Sequence, residues 1–438
     1  MGMRQAPRAV AAIATAASSE SPARSPSALT EGEAARFILV GSSVIRANDA
    51  KKMLASLSAE PPCDVRTAID AAIAEACADE PVGILLSGGL DSSLLACIAA
   101  RAIGVDRIVL CAATGLYATR AERALSSRVA AHLGVELLEV SKPEAWWPSL
   151  VAVNRGLRYP VGGAFVGAFA TIGQTLASRG LGRVLSGDGA DDLFAADQLQ
   201  IADLIQRRKP LAAWRAAASI AMWFGEKPRK VYVDNGVLPL LMQTSSRAFR
   251  RASQRIRTSA YAGSPFVRTR QLDETIGEIG DEVARSWLLP QRSFLSFEAE
   301  SRWRSTVDAH EATYNLPSTT RLTPFLDSRV VAAVLRRPST HVAGHIGARD
   351  KEDLRRLFAD VLPSAVRWHR KTGRPDVVGR AVTIDPTTAS TAFERVRDLT
   401  GGVLELQPNL LKPDRVPPEM QQAWLRSLYL AAWSEAGS

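Results

Sequence analysis

The sequence predicts an α/β protein: a doubly wound parallel sheet followed by a mostly helical C-terminal half. Three observations lead there. Between Val82 and Ser186, short apolar segments alternate with amphipathic helical patterns, as parallel strands joined by crossover helices require. Two turns rich in glycine and carboxylate, at 87–93 and 186–192, each follow one of those apolar segments, at the strand ends where such sheets bind ligands. Beyond Asp191 strand signals fade, and helical patterns carrying Trp214, Trp223, Trp287 and Trp303 run on toward the C-terminus.

Residues 1–31 are rich in Ala, Ser, Pro and Arg without a sustained apolar face, so they read as a disordered tail. Arg4 and Arg8 ahead of Ala9–Ala17 are faintly like a targeting peptide, but the apolar part is short and mostly alanine. Residues 32–60 form a short N-terminal segment, a candidate remnant of a lost domain, with a strand expected over Phe37–Val44 and a helix over Asn48–Ser58. Pro61 and Pro62 punctuate the chain, and 61–438 read as the principal domain. Its expected elements are, in order, helix Val65–Ala78, strand Val82–Leu86, helix Ser92–Ile103, strand Arg107–Ala112, helix Ala121–Leu133, strand Glu136–Val140, helix Gly167–Arg179 and strand Arg183–Ser186. No repeat is apparent at periods of about 20–50 residues.

At 438 residues the chain suits one large domain plus extras. Hydrophobic residues at 46% and charged residues at 23% describe an ordinary globular protein, and no apolar run reaches the roughly 18 residues that a membrane span needs. The +9 charge would favour polyanions. The arginines are scattered, however, and the densest group (Arg247, Arg250, Arg251, Arg255, Arg257) mostly recurs at helical spacing, as on a solvated face, so nucleic acid is not the expected partner. Cys63, Cys77, Cys97 and Cys111 show neither CxxC pairs nor interleaved histidines, which argues against zinc and a disulfide framework and for reduced core thiols in a cytoplasmic protein.

The sharpest feature is Leu85-Leu86-Ser87-Gly88-Gly89-Leu90-Asp91-Ser92-Ser93, where a buried strand meets an apolar-periodic helix. Gly88 and Gly89 allow a tight turn and close approach to a ligand, and the helix N-terminus points free N–H groups at any anion held there. Ser87, Ser92 and Ser93 can donate to phosphate oxygens, while Asp91 makes sense beside phosphate only if Mg²⁺ lies between. A plain helix-capping turn would need neither two glycines nor three serines. The pattern is neither GxxxxGK[ST] nor GxGxxG, so kinase-like and dinucleotide readings lose their support. It resembles the SGGxDS pyrophosphate loop of the N-type ATP pyrophosphatases, which implies an adenine nucleotide alpha hydrolase-like fold, ATP with Mg²⁺ as cofactors, and attack on the α-phosphate to give an acyl-adenylate and pyrophosphate. Leu86, Ser87, Gly88, Gly89, Asp91, Ser92, Ser93 and Gly187 are then the nucleotide-binding candidates.

The second turn, Leu185-Ser186-Gly187-Asp188-Gly189-Ala190-Asp191-Asp192-Leu193-Phe194, resembles the SGEGADELF signature of the asparagine synthetases. That resemblance implies Asp91 and Asp191 as Mg²⁺ ligands. Asp192 stands where the family has glutamate and is by that resemblance a substrate-pocket candidate. Asp188, the catalytic candidate here, replaces the glutamate associated with the ammonia step, which implies an altered role, and Ala195-Ala196-Asp197 replaces the family's Gly-Gly-Tyr, which implies a remodelled pocket.

Thr323-Pro324-Phe325-Leu326-Asp327 is similar to the family's PFLD element, which shapes the acceptor pocket and so nominates Pro324, Phe325 and Asp327; a proline-led turn into the helix Val330–Leu335 is the plain alternative. Lys351-Glu352-Asp353-Leu354-Arg355 is similar to the closing K-x-x-L-R segment, adding Lys351 and Arg355 to that pocket. By the same resemblance Lys371, in Arg370-Lys371-Thr372-Gly373, is the lysine that stabilises charge as the adenylate forms and is attacked, a task suited to a mobile ammonium.

The implied reaction adenylates a small-molecule or peptide carboxylate and lets an amine attack, releasing AMP. Only 60 residues precede the synthetase segment and Met1-Gly2-Met3 offers no nucleophile, so glutamine hydrolysis is not expected. With Asp188 altered, an amine on the substrate itself becomes the favoured acceptor, as in the lasso peptide macrolactam synthetases, which the 371–373 region loosely resembles. A leader-peptide-binding or peptidase partner would fit that reading. The rivals are ammonia-dependent asparagine synthesis, a tRNA-modifying ATP pyrophosphatase, and a non-catalytic binding relative, the last disfavoured by the presence of Asp91, Asp191 and Lys371.

Overall fold

Four consecutive buried residues, Val82–Leu85, form β1, and an uninterrupted apolar strand is accommodated only where helices cover both faces of a sheet. The computed structural model describes residues 29–40, 57–77, 80–113, 120–140, 145–155, 160, 162, 165–194, 200–242, 244–286, 319–336, 351–369 and 382–437. In it β1 is joined by β2 (Ile108–Ala113), β3 (Leu137–Val140), β4 (Arg183–Leu185) and β5 (Thr320–Leu322). The order is β3-β2-β1-β4-β5 and every pairing is parallel, with Ile84 facing Leu110 on one side and Leu185 on the other. The chain builds outward from β1 in one direction and then in the other, so the switch point lies between β1 and β4, the place where sheets of this kind bind ligands beyond the strand ends.

The helices in the first half are α1 (Glu31–Val40), α2 (Val65–Cys77), α3 (Leu90–Ile103), α4 (Arg120–Leu133), α5 (Trp146–Val153), α6 (Val166–Ser178) and α7 (Ala190–Phe194). Ile69 and Ile73 of α2, Leu94 and Ile98 of α3, and Val129 of α4 pack on one sheet face around Ile84. Ala168, Ile172 and Leu176 of α6 cover the other face against Leu85, Cys111, Val140 and Val184. This is the doubly wound arrangement expected from the sequence.

The second half is helical as expected: α8 (Gln200–Gln206), α9 (Pro210–Phe224), α10 (Pro228–Tyr232), α11 (Leu238–Leu241), α12 (Ser246–Ala262), α13 (Arg270–Ser286), α14 (Ser328–Arg336), α15 (Glu352–Leu357), α16 (Ser364–Arg367), α17 (Pro386–Leu399) and α18 (Gln421–Gly437). A separate core joins Trp146, Leu272, Ile276, Phe393, Trp424 and Trp433. The arginine-rich stretch lies on α12, with Arg247, Arg250 and Arg251 exposed, Arg255 paired with Asp234 and Arg257 with Asp281.

Two expectations need correction. Over Phe37–Val40 the chain is helical, not the start of a strand, because Thr30 and Glu33 form a reciprocal capping box: each side chain accepts from the other's backbone N–H. That helix begins at Glu31, inside the span read as tail, and buries Ala34, Ala35, Phe37 and Ile38 in the core around Trp424 and Trp433. Strand signals also do not end at Asp191, since β5 extends the sheet beyond β4. Three residues are too few to show a period, and the central one is an arginine. The predicted helix Asn48–Ser58 lies almost wholly outside the described residues.

Of the four cysteines, Cys77, Cys97 and Cys111 are buried as expected, whereas Cys63 is exposed. Burial pushes the Cys77 and Cys97 thiols up to about 11 and the Cys111 thiol to about 12. A thiol reagent at neutral pH should therefore label Cys63 alone in the folded protein and all four cysteines after denaturation, as counted by mass spectrometry.

Candidate active site

At the end of β1, the Leu86 N–H donates to Cys111 O at 2.8 Å and ties the start of the turn to β2. Gly88 then takes φ +75°, and a Cβ there would stand 2.2 Å from the backbone oxygen of Glu122 in α4. A side chain fits neither that conformation nor that space. Gly89 is the N-cap of α3 and supplies no side-chain hydrogen bond, so the first-turn N–H groups of a 14-residue helix are left for an anion. Ser92 Oγ accepts from the Ser87 N–H at 3.1 Å and meets Ser87 Oγ at 3.0 Å, which shapes the turn. Ser93 Oγ is buried and has no hydrogen-bond partner among the described residues.

The second turn is pressed against the first. Ser186 N–H donates to Leu322 O at 2.9 Å, fixing the end of β4 to β5. At Gly187 an added Cβ would lie 3.1 Å from Ser92 N and 3.2 Å from Asp91 Cβ, so the motif glycine lets two carboxylate-bearing turns touch. Gly189, at φ +85°, leaves room for Leu326, whose Cδ2 would be 2.4 Å from a Cβ. Next to Leu326, the fully buried Phe325 meets Phe194 edge-on with ring centroids 6.4 Å apart. The Pro324–Phe325–Leu326 segment thus braces the second turn from behind.

Opposite both turns stands Lys351. Its Nζ pairs with Asp91 Oδ2 and, at 2.6 Å, with Asp191 Oδ1. The residue is only 4% exposed, and at φ +54° it is one of two non-glycine residues in the left-handed region among those described. Burial alone would lower its pKa, but the attraction of Asp91 and Asp191 outweighs that cost and holds the ammonium above its ordinary value. Asp91 and Asp191 therefore converge on a single positive point. Hard carboxylate oxygens converging in this way fit Mg²⁺, and among the described residues no cluster of three or more His, Cys, Asp or Glu surrounds them. Two carboxylates completed by substrate phosphates is the usual way Mg²⁺ is bound.

The sequence reading missed Arg321. Its guanidinium is buried at the middle of β5, stacks 5.2 Å from the Phe169 ring of α6, and donates to both Ser186 Oγ and Asp188 Oδ2. Asp188 is thereby tied to a fixed cation and turned to the β4/β5 side of the crevice. The only signal was an arginine just ahead of the Thr323-Pro324 turn, in a segment too short to read as a strand.

Other nominated residues lie elsewhere. Asp327 accepts from the Arg329 backbone N–H and side chain, both at 2.9 Å, and Arg329 reaches Glu75 on α2, so this aspartate starts α14. Arg355 is buried and donates to Arg367 O, bracing the segment that leads toward Lys371. Leu86 is fully buried and serves as the floor of the first turn. Asp192 lies on α7, and Lys371 and Ala195-Ala196-Asp197 fall outside the described residues. No helix among the described residues is long and apolar enough to cross a membrane.

The family model described as Asparagine synthase matches residues 64–416, spanning β1 through the segment after Lys351 and both turns. No curated protein shows a significant match to the chain.

Proposed function

Since the chain belongs to the asparagine synthase family, ATP-dependent carbon–nitrogen ligases that release AMP, we propose that it closes a lactam or macrolactam on a peptide natural-product precursor by adenylating a carboxylate and admitting an amine of the same molecule. The observation that carries the adenylation site is the convergence of Lys351, Asp91 and Asp191 in front of the open N-terminus of α3. Phosphates of ATP would lie against the 87–93 turn, with the α3 N–H groups and the Ser93 hydroxyl donating to their oxygens. Mg²⁺ held by Asp91 and Asp191 would neutralise charge as pyrophosphate leaves. Among the described residues Lys351 is the ammonium at this point, so the charge-stabilising role given to Lys371 is extended to Lys351.

Asp188 supports an acceptor other than free ammonia. Engaged by Arg321 and Ser186, it is placed as a fixed charge that can orient the N–H bonds of an incoming neutral amine, a poorer arrangement for a group that must itself collect the proton. The crevice must also exclude water, because an adenylate exposed to it hydrolyses before the amine arrives. A leader-peptide-binding protein or peptidase is the partner such a substrate calls for, and the buried thiols suit a cytoplasmic setting.

Incubation with Mg·ATP and a linear peptide carrying a free N-terminal amine and an internal Asp or Glu is expected to give AMP, pyrophosphate and a peptide lighter by one water. Asparagine and AMP from aspartate, ammonia and ATP, with no change to any peptide tested, would replace this reading with asparagine synthesis. Pyrophosphate release that depends on added tRNA would replace it with RNA modification.

A further inference from the structure

Two carboxylates that meet at the mouth of a phosphate-binding turn repel one another, and such a pair needs a cation. Here the chain supplies its own. The Lys351 ammonium is bonded to Asp91 and to Asp191, is almost fully buried, and rises from a backbone in the left-handed region, which a lysine adopts only where its surroundings force it. It sits at the point where the carboxylate oxygens converge. An ammonium and a divalent ion cannot share that point.

Resting on the ligase reading, which gives Asp91 and Asp191 to Mg²⁺, we infer that Lys351 is a built-in occupant of the metal site: the nucleotide-free protein does not take up the divalent ion, and metal enters only together with ATP, whose phosphates draw Lys351 off the two aspartates. Three features of the site agree. The pair lacks a third carboxylate, histidine or cysteine among the described residues, so it depends on phosphate oxygens to complete a coordination sphere. Phosphates at the α3 N-terminus offer the displaced ammonium a new anionic partner within the reach of its four-carbon stem. Gly187 keeps the two turns in contact, so Asp91 and Asp191 hold their positions while the lysine moves. The consequence is ordered loading, which guards against a bare metal ion occupying the site without substrate.

The test uses Mn²⁺ as the probe, followed by electron paramagnetic resonance of the free ion, on the full chain. Wild type without nucleotide is expected to bind no Mn²⁺ at this site at sub-millimolar concentration, whereas Lys351→Met without nucleotide should bind one ion at least about tenfold more tightly. A non-hydrolysable ATP analogue should bring one Mn²⁺ to the wild type, and by reciprocity the metal should tighten analogue binding by a similar factor, of order 5–150-fold. Lys351→Gln, which keeps hydrogen-bonding capacity and loses the charge, serves if the methionine variant does not fold. Its thermal midpoint should rise on adding Mn²⁺ alone, and that of wild type should not. Tight Mn²⁺ binding by nucleotide-free wild type that is lost in Asp191→Asn overturns the inference, as does the absence of Mn²⁺ binding in a folded Lys351 variant. Either result leaves the ligase reading standing if peptide-dependent pyrophosphate release persists, and loss of that release leaves the metal measurements interpretable.

Discussion

Asp91→Ala is expected to reduce ATP-dependent pyrophosphate release by about a thousandfold, the scale on which removal of a single preorganised charge-stabilising group usually falls. Two effects combine. The substitution removes one of the two carboxylates assigned to Mg²⁺, and it leaves Lys351 paired with Asp191 alone. Asp91 is the second residue of α3 and partly exposed, so the fold should survive, and an unchanged circular dichroism spectrum and melting midpoint would separate lost chemistry from lost structure. Asp91→Asn should be nearly as inactive, because the amide keeps the shape and loses the charge. A rate equal to wild type would remove the assignment of the 87–93 turn.

The second large effect is expected at Gly88. Alanine there must adopt φ +75° and place its methyl carbon 2.2 Å from Glu122 O and 2.9 Å from Ser126 N, both backbone atoms of α4 that cannot rotate away. Left-handed strain costs about 1–3 kcal/mol and an overpacked contact a similar amount, so Gly88→Ala should lose roughly 2–6 kcal/mol of stability unless the turn moves. If the turn moves, the N–H groups proposed to face phosphate move with it. Either way, ATP affinity measured by calorimetry should fall by more than tenfold. By contrast Gly104→Ala, also at positive φ but with nothing within 4 Å of its Cβ, should cost only the conformational strain and leave ATP binding intact.

Residues close together in sequence were read well, and residues brought together by folding were not. The turn at 87–93 was legible because its glycines, serines and aspartate are contiguous and each suits the same proposed ligand. The strand–helix alternation was legible because apolar runs and helical periods are local. The strand expected over Phe37–Val44 is helix as far as Val40 because the short apolar run Phe37-Ile38-Leu39-Val40 suits either state, and the deciding signal, the Thr30–Glu33 box, straddles the boundary between the expected tail and the segment after it. Lys351 was read as a pocket residue, since nothing in Lys351-Glu352-Asp353 says that its ammonium reaches carboxylates 260 and 160 positions earlier.

By itself, then, the sequence determined the α/β class and nominated the 87–93 turn and the two carboxylates proposed for phosphate and Mg²⁺, all of which are encoded within windows of about ten residues. Only the tertiary structure decided that Gly187 lets those carboxylates converge, that Lys351 stands between them, and that Asp188 is held by an arginine 133 residues away. The reason is physical. Burying a charge is costly unless a partner is supplied, and the partner is selected by the packing of β4 against β5 and of one turn against the other, which no local pattern records.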